Sequence, residues 1–239
     1  MRFQTPLIPA RLTRRYKRFL ADCVLEDGAE ITAHVANPGA MTHLADPGTR
    51  VWLRHSPDPK RKLAYSWQIA EPAPGVLVGV DTGAANRILK PYLEAGTVPG
   101  LGGYTACRPE VPYDEGSRVD FLLSGGGQPD TYVEVKAVTL SRATGRAEFP
   151  DTRTARGAKH LGALARMVAS GHRAVMVYLV LRSDARAFSI AADIDPVYAQ
   201  AAADAKAAGV ETIALKAQLS VNEIRLDPAP LPVTEPDAP

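Results

Sequence analysis

The sequence predicts an all-β segment followed by an α/β segment, and three observations carry that reading. Between Arg18 and Ala70, short half-apolar runs alternate with Gly, Pro and Asp turn residues, the spacing of a small barrel or sandwich. After Pro72, Pro74 and Gly75 the chain changes to helical periodicity alternating with strand-like runs. Within those runs, carboxylates and a lysine fall at alternate positions. The boundaries follow: 1–75 as a five-stranded barrel of OB type, 76–226 as the α/β unit, and 227–239 as a proline-rich tail.

The barrel strands are read in order. Arg18 to Leu25 and Glu30 to Ala36 flank Asp27-Gly28, a strong hairpin signal. Arg50 to Arg54 follows Pro47-Gly48, and Leu63 to Ala70 follows a basic cluster. A helix is expected from about Gly83 to Ala95, capped by Thr82 and closed by Gly96, with Pro91 positioned to kink it. Tyr104 to Glu110 reads as a strand. Arg118 to Leu123 and Thr131 to Leu140 are β-branched and aromatic runs joined across Gly125, Gly126 and Gly127, so a hairpin is expected. Asp151 to Ser170 carries Leu161, Leu164, Ala165 and Val168 on one helical face. Arg173 to Leu181 is apolar throughout, as in a strand covered on both faces. Asp195-Pro196 starts the clearest helix, which Gly209 closes. Strands are expected near 210–217 and 220–226, and the tail is expected to be extended or disordered.

The 239 residues, 46% hydrophobic and 23% charged, provide for a substantial core. Cys23 and Cys107 form no C-x-x-C pair and no histidines cluster, so neither a disulfide framework nor a structural zinc site is supported. The N-terminus has no signal-peptide apolar region and no run reaches membrane-spanning length, so a cytoplasmic protein without a membrane partner is expected. Net charge is only +2, but basic residues cluster. Arg14, Arg15, Lys17 and Arg18 lie in a stretch without acids; Arg61 and Lys62 belong to a second cluster; Arg156 and Lys159 belong to a third. Such clusters either follow phosphates or stand as solvated surface charge. Trp52 and Trp67 are expected in the barrel core rather than stacked on bases.

The chemistry-bearing set is Asp120, Glu134 and Lys136. Glu134 and Lys136 are two apart on one strand and share a face, and the hairpin brings Asp120 beside Glu134. Two carboxylates suit an Mg²⁺ or Mn²⁺ ion, with the carbonyl of Val135 as a third oxygen and Lys136 beside the attacking water. Glu94 joins only if its helix faces the site. Taken alone, D-x13-E-x-K is a weak pattern that ordinary cross-strand ion pairs also produce.

Longer blocks add to it. Ser117-Arg118-Val119-Asp120-Phe121, the run from Tyr132 to Leu140, Phe149-Pro150-Asp151, Thr154, Arg156-Gly157 and Lys159-His160-Leu161 resemble the sugar fermentation stimulation protein A family. His34 to Met41, Pro47-Gly48, Lys60-Arg61-Lys62, Ala85-Asn86-Arg87, Ile194-Asp195, Tyr198-Ala199 and Gly209-Val210-Glu211 follow in matching order. Pro38 and Ala137 depart from it, standing where a threonine and a serine are more frequent. The resemblance implies an OB-like barrel followed by a PD-(D/E)XK restriction-endonuclease-like domain with core order αβββαβ. It also implies DNA binding of little sequence preference and a link to sugar-metabolism genes. DNA is therefore the expected partner. RNA and a homodimer both remain open, as does a binding protein that keeps the fold without cleavage. His160 is expected near a phosphate or in a helix-surface hydrogen bond.

Overall fold

The computed structural model describes residues 1–114 and 116–235. Its first sheet contains β1 (Ile8–Tyr16), β2 (Leu20–Leu25), β3 (Glu30–His34), β4 (Arg50–His55), β5 (Tyr65–Ala73) and β6 (Val76–Gly79). The order is β3-β2-β1-β4-β5-β6, and a parallel β3–β5 pairing closes the first five strands into an OB-like barrel. Strand alternation fills it: Ala10 and Leu12 of β1, Ala21 and Cys23 of β2, Val51 and Leu53 of β4 all point inward with Trp67. β1 was not among the expected strands, because its arginines masked the alternation of Ala10 and Leu12 beneath them.

The boundary expected at Pro72 to Gly75 is instead the turn from β5 into β6, where Ala73 pairs with Val76. Gly75 takes φ +78° there, which costs a residue without Cβ little. The sheet therefore runs on to Gly79. β6 also ties the two units, since Gly79 N donates to Leu181 O and Ser183 N to Leu77 O, both at 2.9 Å.

The second unit continues with α1 (Ala84–Glu94), β7 (Ala106–Asp114), β8 (Ser117–Ser124), β9 (Thr131–Val138), β10 (Leu140–Ala143) and β11 (Arg146–Phe149). Then come α2 (Ala155–Ala169), β12 (Arg173–Val180), β13 (Ala187–Ile190), α3 (Pro196–Ala207), β14 (Glu211–Leu219) and β15 (Ile224–Pro230). The large sheet has order β15-β14-β12-β9-β8-β7. β12 is interior and parallel to both β9 and β14. α1 covers one face through Ile88, Leu89 and Leu93, while α2 and α3 belong to the core of the other. Burial of each large aliphatic side chain contributes about 1.5–3 kcal/mol, which keeps α1 continuous past Pro91.

Three local expectations change. Thr82 does not cap α1: its hydroxyl donates to Ala36 O at 3.2 Å, and Gly83 is the N-cap without a side-chain bond. The helix expected from Asp151 begins at Ala155, where Thr154 caps it by accepting from Gly157 N. β10, β11 and β13, absent from the expected elements, form a separate three-stranded sheet; each of these strands has only four residues, too few for a clear period. In the tail, β15 pairs with β14 as far as Pro230, and Val233 bridges to Phe188. The rest of the expected tail, 236–239, lies outside the described residues. Among the described residues, no helix is long and apolar enough to cross a membrane.

Candidate functional site

The alternation of β9 sends Val133 and Val135 toward α1 and Glu134 toward α2. Glu134 is 2% exposed. Its Oε1 accepts from Lys136 Nζ at 2.7 Å and makes a very short contact with His160 Nδ1 of α2. Arg156 Nε, one helical turn earlier on α2, donates to His160 Nε2 at 3.3 Å. That leaves Nε2 as the acceptor nitrogen, so we assign the ring proton to Nδ1, donating to Glu134. Glu134 Oε2 is buried without a hydrogen-bond partner among the described residues.

Asp120 lies on β8, one residue beyond the Phe121–Val133 pair. Its Oδ2 accepts from Val135 N at 2.7 Å and its Oδ1 from Asn86 Nδ2 of α1 at 2.6 Å. Burial, then the neighbouring charge of Glu134, pushes the Asp120 carboxyl up to about 6 despite these donors and Lys136. Burial also opposes ionisation of Glu134, but the His160 hydrogen bond and the Lys136 charge outweigh it and hold this carboxyl below its usual range.

Asp120, Glu134, Val135 and Lys136 line one cleft of about 550 Å³. Arg18 and the Asn37-Pro38-Gly39 turn form its barrel-side wall, and Arg118, Arg153 and Arg156 also face it. Asp151 joins the two walls: its carboxylate accepts from Met41 N at 3.2 Å, and a Cβ built on Gly39 would lie 2.2 Å from it. Glu148, a buried carboxylate missed in the sequence, also lines the cleft. It is committed to Arg142, with contacts of 2.8 and 3.0 Å. Asn86 and Arg118 were likewise missed as site residues, although both lie in blocks that carry the family resemblance.

The other expected residues divide. Arg18, Arg156 and His160 line the cleft, and Arg61 lines a second cavity. Arg14 is paired with Asp22 at 2.8 Å. Arg15 is a structural strap whose guanidinium donates to the carbonyls of Asn37, Gly39 and Ala40. Lys17, Lys62 and Lys159 are exposed and line neither cavity. Glu94 sits at the opposite end of α1 from Asn86, 3.7 Å from Lys90 and away from the cleft, because seven residues of helix lie between the two positions. Trp67 is fully buried and donates to Ile69 O, while Arg50 covers the half-buried Trp52 at 4.7 Å. Burial raises both thiols, that of Cys23 to about 12.

Among the described residues, no group of three His, Cys, Asp or Glu is placed to hold a metal. An ion here would have to rest on two carboxylates and main-chain oxygen. The partnerless Glu134 Oε2 fits that use, and so does the raised Asp120 carboxyl beside a second buried carboxylate, a repulsion that a cation relieves. Of Val135, the site contact observed is the amide hydrogen, which Asp120 accepts.

Two family models match the chain: the SfsA N-terminal OB domain over residues 13–80 and the sugar fermentation stimulation protein RE domain over 83–223. A sugar fermentation stimulation protein homolog of Roseobacter denitrificans is 59% identical over 227 residues, covering 95% of this chain and 97% of the relative. One of Ruegeria pomeroyi is 57% identical over 226 residues, covering 95% and 98%. The solved structure of Pyrococcus furiosus SfsA, described in complex with Ca²⁺, has a TM-score of 0.87 at 26% identity and covers 98% of each chain.

Proposed function

Because this chain belongs to the sugar fermentation stimulation protein family, we propose that it is a cytoplasmic nucleic-acid-binding protein whose cleft is a divalent-metal-dependent phosphodiesterase site. DNA is the favoured partner. The observation that carries the reading is Glu134 Oε2, a buried anionic oxygen without a partner, beside Asp120 and Lys136 in a cleft faced by arginines. Asp120 and Glu134 would hold Mg²⁺ or Mn²⁺ with main-chain oxygen from Val135. The ion would supply charge neutralisation at the phosphate and a water of lowered pKa. The relative described with Ca²⁺ supports a hard, oxygen-seeking cation.

The protein's own residues do the rest of the work. Arg18, Arg118, Arg153 and Arg156 hold phosphate oxygens and orient the backbone. Lys136 places its ammonium where charge develops on the phosphoryl oxygens. His160 fixes the Glu134 carboxylate from the side opposite its free oxygen, and Arg156 fixes His160. A PD-(D/E)XK-type domain is part of this proposal, consistent with the element order α1-β7-β8-β9-α2-β12 once the β10–β11 pair inserted between β9 and α2 is set aside. The link to sugar-metabolism genes, part of the same proposal, requires DNA binding alone.

One observation favours binding without turnover: Glu134 Oε1 is already engaged by His160 and Lys136. Cleavage assays on single-stranded, double-stranded and structured DNA and RNA, with Mg²⁺ or Mn²⁺ against EDTA, separate the readings. Metal-dependent cleavage supports the enzyme; salt-sensitive binding without cleavage on any substrate supports the binder.

A further inference from the structure

The first turn of α1 borders two cavities. Asn86 lines the cleft, and its neighbour Arg87 lines a separate groove of about 380 Å³. The end of β4 contributes Arg54 and His55 to that groove, the β4–β5 connection contributes Arg61, and the N-terminal segment contributes Arg2. No Asp or Glu is among its described lining residues. Arg2 and Arg87 have carboxylate partners outside the lining, Glu223 at 3.3 Å and Asp81 at 2.6 Å. Arg54 and Arg61 have none among the described residues; Arg61 Nη2 donates only to the Ser66 hydroxyl, at 3.0 Å.

A concavity lined by guanidinium groups focuses positive potential, and folding gains nothing from leaving two of them without a counter-charge. The guanidinium fork matches the paired oxygens of a phosphodiester. The adjacency of Asn86 and Arg87 connects this groove to the cleft across a single helical turn. We propose that the groove seats the phosphodiester backbone of a nucleic-acid strand leaving the cleft over the start of α1. The contact is sequence-independent and sets how long a substrate must be to bind at full strength. This inference rests on the nucleic-acid reading of the cleft, which the experiment tests separately.

The experiment measures fluorescence anisotropy with labelled single-stranded DNA of about 30 and about 6 nucleotides, the longer well beyond and the shorter within the ~4–16 nucleotides that a single-strand site typically occupies. The proteins are the full-length wild type, the double variant Arg54→Gln/Arg61→Gln, and Arg54→Lys/Arg61→Lys. For the wild type, the longer strand binds more tightly than the shorter. The Gln variant lowers the long-to-short affinity ratio about tenfold and reduces the salt slope for the longer strand by about 1.4, two charges at ~0.7 each. The Lys variant, which retains the charge, restores most of the slope and shows that loss of folding is not the cause. A Gln variant with an unchanged ratio and slope overturns the groove while leaving the cleft reading intact. A wild type that binds neither strand, nor duplex of either length, overturns the nucleic-acid reading and the groove with it.

Discussion

Charge is used in opposite ways on the two sides of the first turn of α1. In the cleft, Glu134, Lys136 and His160 are linked in a network that buries 97% of the Glu134 side chain and 85% of that of Lys136. In the groove, Arg54 is exposed and has no carboxylate partner among the described residues, and Arg61 is only half-buried. The first arrangement fixes atoms in place, and removing any member leaves another buried and unsatisfied. The second fixes a potential rather than a geometry; each charge contributes modestly and salt screens it.

The largest expected effect tests the rigid side. Glu134→Ala removes the partner of both Lys136 and His160 and should cost about 3 kcal/mol in urea denaturation. The protein should remain folded at low temperature, with any metal-dependent cleavage reduced at least ~100-fold, about the upper end of losses seen when groups supporting a metal site are removed. Arg54→Gln, by contrast, should change stability by less than about 0.5 kcal/mol. Equal stability losses at the two positions would erase the contrast.

Next in size, Lys136→Met should lower cleavage by about 100-fold, comparable to loss of one preorganised charge-stabilising group. Mn²⁺ binding followed by calorimetry should persist, whereas Glu134→Ala should weaken it. If Lys136→Met abolishes Mn²⁺ binding, the lysine belongs to the ion's own support and not to the reacting phosphate.

The third effect concerns salt. The roughly tenfold difference in long-to-short affinity ratio between wild type and the groove Gln variant should shrink toward none at about 1 M salt, where the Debye length falls to ~3 Å. The stability cost of Glu134→Ala should change little over the same range, because its partners are buried.

The smallest effect lies between the barrel and the α/β unit. Gly39→Ala puts a Cβ 2.2 Å from the Asp151 carboxylate, so that side chain must move and loosen its bond from Met41 N. A loss of about 1–2 kcal/mol is expected, within the range for overpacking. Asp151→Ala should cost stability by itself and should absorb most of the Gly39→Ala penalty in a double-mutant cycle. Additive losses would mean that the two residues do not meet in solution.

Much of this architecture was legible from local pattern. Asp27-Gly28 marked the β2–β3 hairpin, Asp195-Pro196 marked α3, and the unbroken apolar run of β12 marked a strand covered on both faces, because turns, caps and burial act on neighbouring residues. β1 was hidden beneath its arginines, and β10, β11 and β13 were too short to show a period. The Pro72 to Gly75 punctuation was real, but the sequence could not tell a hairpin turn from a linker.

The site divides in the same way. Period-two geometry places Glu134 and Lys136 on one face, and a hairpin register brings in Asp120, so the sequence alone determined which three groups would share the cleft. Tertiary structure decided what surrounds them: His160 against Glu134, Asn86 on Asp120, Arg15 spent as a strap rather than a phosphate contact, and Glu94 turned away. Those outcomes depend on how α1, α2 and the barrel pack on the sheet, and contacts between residues 22 to 34 positions apart leave no mark in local periodicity.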